Sequence, residues 1–293
     1  MLHAAPRPRK APTPFSSRIP RTLRCQRDQN AEVNVVPISD PGDERLADYL
    51  HLTDAELRRG GEVFLCEGVL SVRRAVEVGA RFESVLVTAD RLEAVHDELA
   101  PIDAPVYVVD QSLMNGVTGF NLHRGLIAAV HRPDPTPLDQ LLTGRTIAVL
   151  EGLNDHENLG VLFRNAAAFG VDAVLLDPRT ADPLYRRCVR VSLGHVLGVP
   201  HGRFDDLGQV EAAGYELVAL TPHRSAEPVE VIDRLPRVAL LLGAEGPGLS
   251  DDALSRAHRR VHIPMVGEVD SLNVATAAAI AFHHRFRGNA ASA

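Results

Sequence analysis

From Thr146 onward the chain alternates short, continuously apolar runs with helical patterns, and few architectures accept that alternation. The apolar runs fall at 147–150, 173–176, 195–199, 217–220, 238–242 and 260–263, and helical patterns fit at 160–169, 184–191, 207–213, 251–257 and 272–286. Strands this short, with no alternating polar face, belong to a parallel sheet covered on both sides. Strand, helix, strand in succession gives the crossover units of an α/β domain. No internal repeat competes with this reading.

A smaller α/β unit precedes it. Strands are expected at 63–67, 84–88, 106–109 and 126–130, with helices at 54–59, 71–78 and 91–99. Between the two units lie Pro133, Pro135 and Pro137, three prolines in five residues, which make a stiff, extended connection. The expected division is therefore a basic extension at 1–41, a small α/β domain at 42–132, a proline-rich linker at 133–143, a larger α/β domain at 144–288, and a short tail. Residues 1–40 are rich in Pro, Arg, Ser and Thr without a periodic apolar face, which predicts disorder. They lack the apolar core of a secretory signal. A transit-like start and a start codon set too early are both compatible with them.

Charge is distributed unevenly. Over residues 1–30, seven basic residues against one acid give +6, and the total of −7 leaves −13 on the other 263 residues. An acidic body lacks the broad basic footprint of a nucleic-acid binder. Two local arginine groups survive within it, Arg186-Arg187-Arg190 and Arg256-Arg259-Arg260; Lys10 is the only lysine. Cys25, Cys66 and Cys188 are far apart, and an odd count without CxxC spacing argues against a disulfide framework or a zinc site. The thirteen scattered histidines suggest no metal either, and a reducing, cytoplasmic setting fits.

The first strand of the larger domain leads into Glu151-Gly152-Leu153-Asn154, with no GxGxxG; P-loop, HExxH and GxSxG patterns are also absent. Three strand-end segments remain. Asn158-x-Gly160-x-x-x-Arg164 opens the first helix: Asn158 can cap it, and Arg164 sits near the strand ends where α/β sheets bind ligands, or is merely a solvated charge. Gly243-Ala244-Glu245-Gly246-Pro247-Gly248 is a sharp loop, either a plain turn or a set of exposed amides with one carboxylate. Ser271-Leu272-Asn273 precedes the last helix, with Ser271 as its possible cap, and Ala275, Ala277, Ala278 and Ala279 follow.

Together these segments resemble the three motifs of the SpoU/TrmH family, SPOUT-class RNA ribose methyltransferases. Asn158-x-Gly160-x-x-x-Arg164 is similar to the first motif, Leu242-Gly243-Ala244-Glu245-Gly246 to the second, and Ile263-Pro264-Met265 with Ser271-Leu272-Asn273-Val274 to the third. The likeness covers about 144–287. Residues 45–131, through Phe64-Leu65-Cys66-Glu67-Gly68 and His123-Arg124-Gly125-Leu126-Ile127-Ala128, resemble more loosely the L30e-like substrate-binding domain of many members. The resemblance implies a trefoil-knotted parallel sheet, a homodimer, S-adenosylmethionine as methyl donor and a ribose 2′-OH as acceptor. It implies 23S rRNA as substrate, with tRNA as the alternative; a non-catalytic RNA- or ribosome-binding protein of the same fold is a further one.

Carried over residue by residue, the family places cofactor contacts at Gly243, Ile263 and Leu272, with Met265 and Asn273 beside them. Arg164 is the residue that activates the hydroxyl, and Asn158, Glu245, Ser271 and Asn273 orient it, the ribose or the methionine tail. A guanidinium almost never deprotonates, so stabilising a developing alkoxide or gripping a phosphate is the easier role for Arg164. The chain departs from the family at Asn273-Val274-Ala275-Thr276-Ala277, where a serine often follows Asn-Val.

Overall fold

The computed structural model describes residues 33–50, 61–266 and 270–290. The helix expected at 54–59, Cys25 and the first 32 residues lie outside them. In chain order the first half comprises β1 (Val35–Pro37), β2 (Val63–Glu67), α1 (Val69–Glu77), β3 (Phe82–Thr88), α2 (Ala89–Leu92), α3 (His96–Leu99), β4 (Val106–Val109), α4 (Gln111–Thr118) and β5 (Leu126–His131). Its five strands pair in the order β1-β4-β3-β5-β2. β1, β4 and β3 are mutually parallel, while β5 runs antiparallel to both β3 and β2. The sheet thus starts before position 42: β1 lies in the stretch expected to be disordered. Three residues are too short to show a pattern, and β1 is held only by its parallel pairing with β4.

The second half adds α5 (Leu138–Leu141), β6 (Thr146–Glu151), α6 (His156–Phe169), β7 (Ala173–Leu176), α7 (Arg186–Val191), β8 (His201–Arg203), α8 (Leu207–Ala212), β9 (Glu216–Leu220), β10 (Glu227–Pro228), β11 (Val238–Gly243), α9 (Asp251–Arg256), β12 (Arg259–His262) and α10 (Val274–Ala290). Its seven strands form one parallel sheet in the order β10-β12-β9-β11-β6-β7-β8. The expected α/β parallel architecture is present. α5 falls inside the expected linker because Leu141 is buried against the core around Ile147.

The apolar run at 195–199 is not a strand. His195–Leu197 is a 3-10 turn, and the third strand is the polar His201–Arg203. Val196 and Val199 are apolar because they fill the core, not because they extend. Two-residue β10, on the sheet edge, was equally invisible to periodicity.

The described residues from Val33 onward belong to one compact unit containing both sheets. A single apolar core joins Phe64 and Cys66 of β2 with Leu159 of α6 and Cys188 and Val189 of α7. Ion pairs reinforce the junction: Arg186 Nη1 lies 2.6 Å from Glu67 Oε2, and Arg132 Nη2 lies 2.5 Å from Asp182 Oδ2.

Candidate active site

All strands of the larger sheet point the same way, so the loops after β6, β9, β11 and β12 gather at one edge. That edge is where ligands of open α/β sheets bind. The residues of the three motifs meet there through two helix caps.

α6 is capped by Asp155, whose Oδ1 accepts from the Asn158 amide at 2.7 Å. Asn158 is therefore in the first turn rather than the cap, and its side chain is released to work outward. α10 begins at Val274, and its cap is Asn273, not Ser271. Asn273 Oδ1 accepts from the amides of Ala275 at 3.0 Å and Thr276 at 3.2 Å. Those two N–H donors fix the orientation of the amide: oxygen toward the helix, nitrogen away from it. Asn273 Nδ2 then donates to Asn158 Oδ1 at 2.7 Å and to Glu245 Oε1 at 2.9 Å, and Asn158 Nδ2 donates to the same Glu245 oxygen at 2.9 Å. One residue from each motif forms a closed triangle around a single carboxylate oxygen. Replacement of a motif-three serine by Ala275 leaves this cap intact, because only the backbone amides of Ala275 and Thr276 are used.

Beside the triangle is a cleft of about 560 Å³, within the ~300–1,000 Å³ typical of small-molecule sites. Gly243, Glu245, Ile263, Met265, Ser271, Leu272 and Asn273 all line it. Gly243 has no alternative: a Cβ there would stand 2.5 Å from the Gly248 oxygen and closer still to the Gly248 carbonyl carbon and the Leu249 nitrogen. The loop folds back on itself at this point, with Gly248 N donating to Ala244 O at 3.0 Å. Main chain thereby packs directly on main chain at Gly243, beside the cleft.

Two expected site residues stand apart. Asn158 reaches the cleft only through Glu245 and Asn273. Arg164 is exposed on α6, does not line the cleft, and makes no hydrogen bond or ion pair among the described residues. Its titratable neighbour is His195, which is held below the ordinary histidine value by burial first and then by Arg74 and Arg164. In the other direction, sequence reading missed Thr221, Pro222 and His223, which wall the cleft after β9. The only available signal was position at a strand end, since those residue types form no motif.

A smaller hollow of about 250 Å³ opens near Glu151, Asp177 and Arg179. Its carboxylates are already engaged. Arg179 bridges Glu151 and Asp177 at 3.0 Å each, and Ser250 N donates to Glu151 at 2.9 Å. Burial pushes Asp177 up, but hydrogen bonds from Thr180, Gly152 and Arg179 outweigh it and leave the carboxyl below its usual range. Among the described residues no group of His, Cys, Asp and Glu is arranged to hold a metal.

The family model of the SpoU rRNA methylase family matches residues 145–283. An uncharacterized tRNA/rRNA methyltransferase of Mycobacterium tuberculosis is 44% identical, over 90% of this chain and 96% of its own length. The 23S rRNA (guanosine(2553)-2′-O)-methyltransferase of Bacillus subtilis is 27% identical, over 84% of this chain and 98% of its own. Among solved structures, an AdoMet-bound rRNA methyltransferase from Sinorhizobium meliloti superposes with a TM-score of 0.73 at 25% identity, covering 87% of this chain and 98% of its own. A structure described as an RNA 2′-O ribose methyltransferase gives 0.72 at 28%, covering 87% and 100%. The chain belongs to the SpoU rRNA methylase family.

Proposed function

We propose that this protein transfers the methyl group of S-adenosylmethionine to a ribose 2′-hydroxyl of 23S rRNA. The observation that carries the reading is the Asn158–Glu245–Asn273 triangle at the lip of the glycine-walled cleft. The cleft fits an adenosine and a methionine tail by volume, and Gly243, Ile263 and Leu272, the expected cofactor contacts, all line it. When bound, the sulfonium supplies an already activated methyl group, so the chain's task is alignment and exclusion of competitors. Glu245 is exposed and takes both amide donors on Oε1, which leaves Oε2 as an acceptor for a ligand. Ser271 lines the cleft unburdened by capping. Because the acceptor is the 2′-OH, RNA is separated from DNA by the reaction itself.

The place of Arg164 outside its own chain's cleft supports a homodimer in which it serves a second copy's site. α6 and α10 pack together and carry exposed apolar side chains, Val161 on α6 and Phe286 on α10, with the Phe169 and Phe286 rings 6.4 Å apart. We place the dimer contact on that face. There a guanidinium would meet the ribose as an electrostatic stabiliser or phosphate grip. The first half, β1 to β5, serves as the L30e-like RNA-recognition domain in this reading. α10, the element after β12, packs back on α6, which accords with the knotted path of the family fold. No helix among the described residues is long and apolar enough to cross a membrane, and the free Cys66 and Cys188 accord with a reducing cytoplasm.

Transfer of labelled methyl from S-adenosylmethionine to 23S rRNA lacking the modification tests the assignment. Incorporation into ribose of 23S rRNA is expected. Incorporation only into tRNA would move the substrate, and cofactor binding without incorporation into either RNA would leave a non-catalytic binder.

A further inference from the structure

An acidic protein body must still hold a polyanion, and the two arginine groups of the larger domain are the obvious candidates. The structure separates them. Arg256 is taken by Asp206 and Glu211, both at 2.7 Å, and Arg259 by Glu216 at 2.6 Å and Glu227 at 2.9 Å. Those two guanidiniums are neutralised by acids of their own domain and have little left for phosphate, while Arg260 has no ion pair among the described residues and donates to the Leu254 carbonyl at 2.9 Å.

The other group lies on the junction of the two halves and is differently balanced. Glu67, at the end of β2, is buried and single. Arg186 takes it at 2.6 Å and is itself buried, stacked 4.5 Å over the Phe120 ring. Arg190, one turn further along α7, reaches the same carboxylate only at 3.5 Å, and its side chain stays 37% exposed. One carboxylate shared by two guanidiniums leaves a positive charge, and it sits on the more exposed partner.

Two more exposed arginines extend this line. Arg124 lies across Gly68, the residue after Glu67: a Cβ on Gly68, at φ +83°, would come within 3.1 Å of its Cδ. Arg124 has no ion pair among the described residues. On the other side, α6 packs on α7 so closely that a Cβ on Gly160 would stand 2.8 Å from the Cys188 oxygen and 2.9 Å from the Val191 side chain. Arg164 follows one turn after Gly160 on α6, and is likewise unpaired among the described residues. Two acids of the junction are engaged elsewhere, Glu77 on Arg74 at 2.6 Å and Asp182 on Arg132.

We infer that Arg124, Arg190 and Arg164 form a phosphate track along the junction of the two halves, which lays the RNA backbone from the first domain toward the methyl-transfer site that Arg164 serves in the second copy. The inference rests on the RNA-methyltransferase reading and adds the path of the substrate to it. Arg124 and Arg164, without an ion pair among the described residues, and Arg190, which shares one carboxylate with Arg186, leave surplus positive charge that favours a polyanion, and planar forks suit phosphate. The net −13 of the remaining body does not oppose this at physiological salt, where charges beyond about 8 Å are screened. An acidic surround also discourages non-specific wrapping and confines the backbone to the track.

The test is the salt dependence of RNA binding. Fluorescence anisotropy with a 23S rRNA fragment is measured from low to physiological salt for the wild type, R124Q, R190Q, the double variant and R81Q. Arg81 is exposed at the opposite end of the same small sheet, just before β3, and serves as the control. Each lost phosphate contact lowers the slope of log K against log salt by about 0.7–0.9, so the double variant should lose about 1.6 and bind on the order of tenfold more weakly at low salt. R81Q should match the wild type. Melting temperature and S-adenosylmethionine affinity should be unchanged in all. Wild-type slopes in the double variant, with methyl transfer intact, would overturn the track alone. A wild-type protein that binds no RNA and transfers no methyl would take the enzymatic reading down with it.

Discussion

Asn273 holds the cap of α10 with one atom and the triangle with another, so substitutions can separate the two. Asn273→Ala removes both. The cap is worth about 1 kcal/mol, and the exposed hydrogen bonds to Asn158 and Glu245 add about 0.5 kcal/mol each, giving a loss of about 2 kcal/mol. Asn273→Asp keeps the capping oxygen but turns the donor into a second carboxylate beside Glu245. Asn273 Nδ2 now lies 2.9 Å from Glu245 Oε1, and two like charges ~3 Å apart in a water-like medium repel by about 1.4 kcal/mol. The double change Glu245→Gln with Asn273→Asp reverses the polarity, letting the amide at 245 donate to the carboxylate at 273. It should recover about 1 kcal/mol of that loss, and S-adenosylmethionine affinity should follow the same order. Denaturant midpoints at constant m-value read the stability part, and calorimetry reads the cofactor part. If Asn273→Asp matches the wild type and the double variant recovers nothing, the three residues are not an energetic unit, and the reasoning that joins the motifs through Glu245 fails.

Gly243→Ala forces a methyl into the Gly248–Leu249 backbone, so the loop must open; cofactor binding should vanish in calorimetry, along with about 2–3 kcal/mol of stability. Arg164→Ala should abolish methyl transfer while cofactor affinity stays nearly intact, because Arg164 does not line its own cleft; a parallel loss of cofactor binding would show the role to be wrong. Mixing Arg164→Ala with Glu245→Ala protein should restore part of the transfer if the arginine serves a second copy, and size-exclusion light scattering should give a dimer. His201 is held below the ordinary histidine value by burial, as is His195. The unfolded chain therefore takes up these protons first: stability is fully present above about pH 6.5 and is lost as pH falls through the lowered folded values. His201→Asn should flatten that decline in pH-dependent melting.

The smaller domain illustrates how far one sequence reaches. Its strands at 63–67 and 106–109 are bounded in the structure as expected, since Val63–Cys66 and Val106–Val109 are runs of apolar, aromatic and β-branched residues. β8 and β10 were not legible. His201–Arg203 is polar and Glu227–Pro228 is two residues long, so both owe their extension to the neighbour that pairs with them. The run at 195–199 failed for the converse reason: apolarity reports burial, and burial there comes from packing of a turn.

The chain's own order of residues determined the parallel α/β class and the three segments that line one strand edge, because periodicity and glycine placement are local properties. It could not decide which side chains would be spent on capping. Asp155 rather than Asn158, and Asn273 rather than Ser271, close the two helices, and that choice frees Asn158 and orients Asn273 so that both meet Glu245. Nor could it separate the arginine groups: Arg256 and Arg259 are neutralised by acids 32 to 50 residues away in sequence, while Arg190 must share Glu67 with Arg186 across the junction. Charge and hydrogen-bond capacity are fixed by residue type, but which partner consumes them depends on distances that only the folded chain sets.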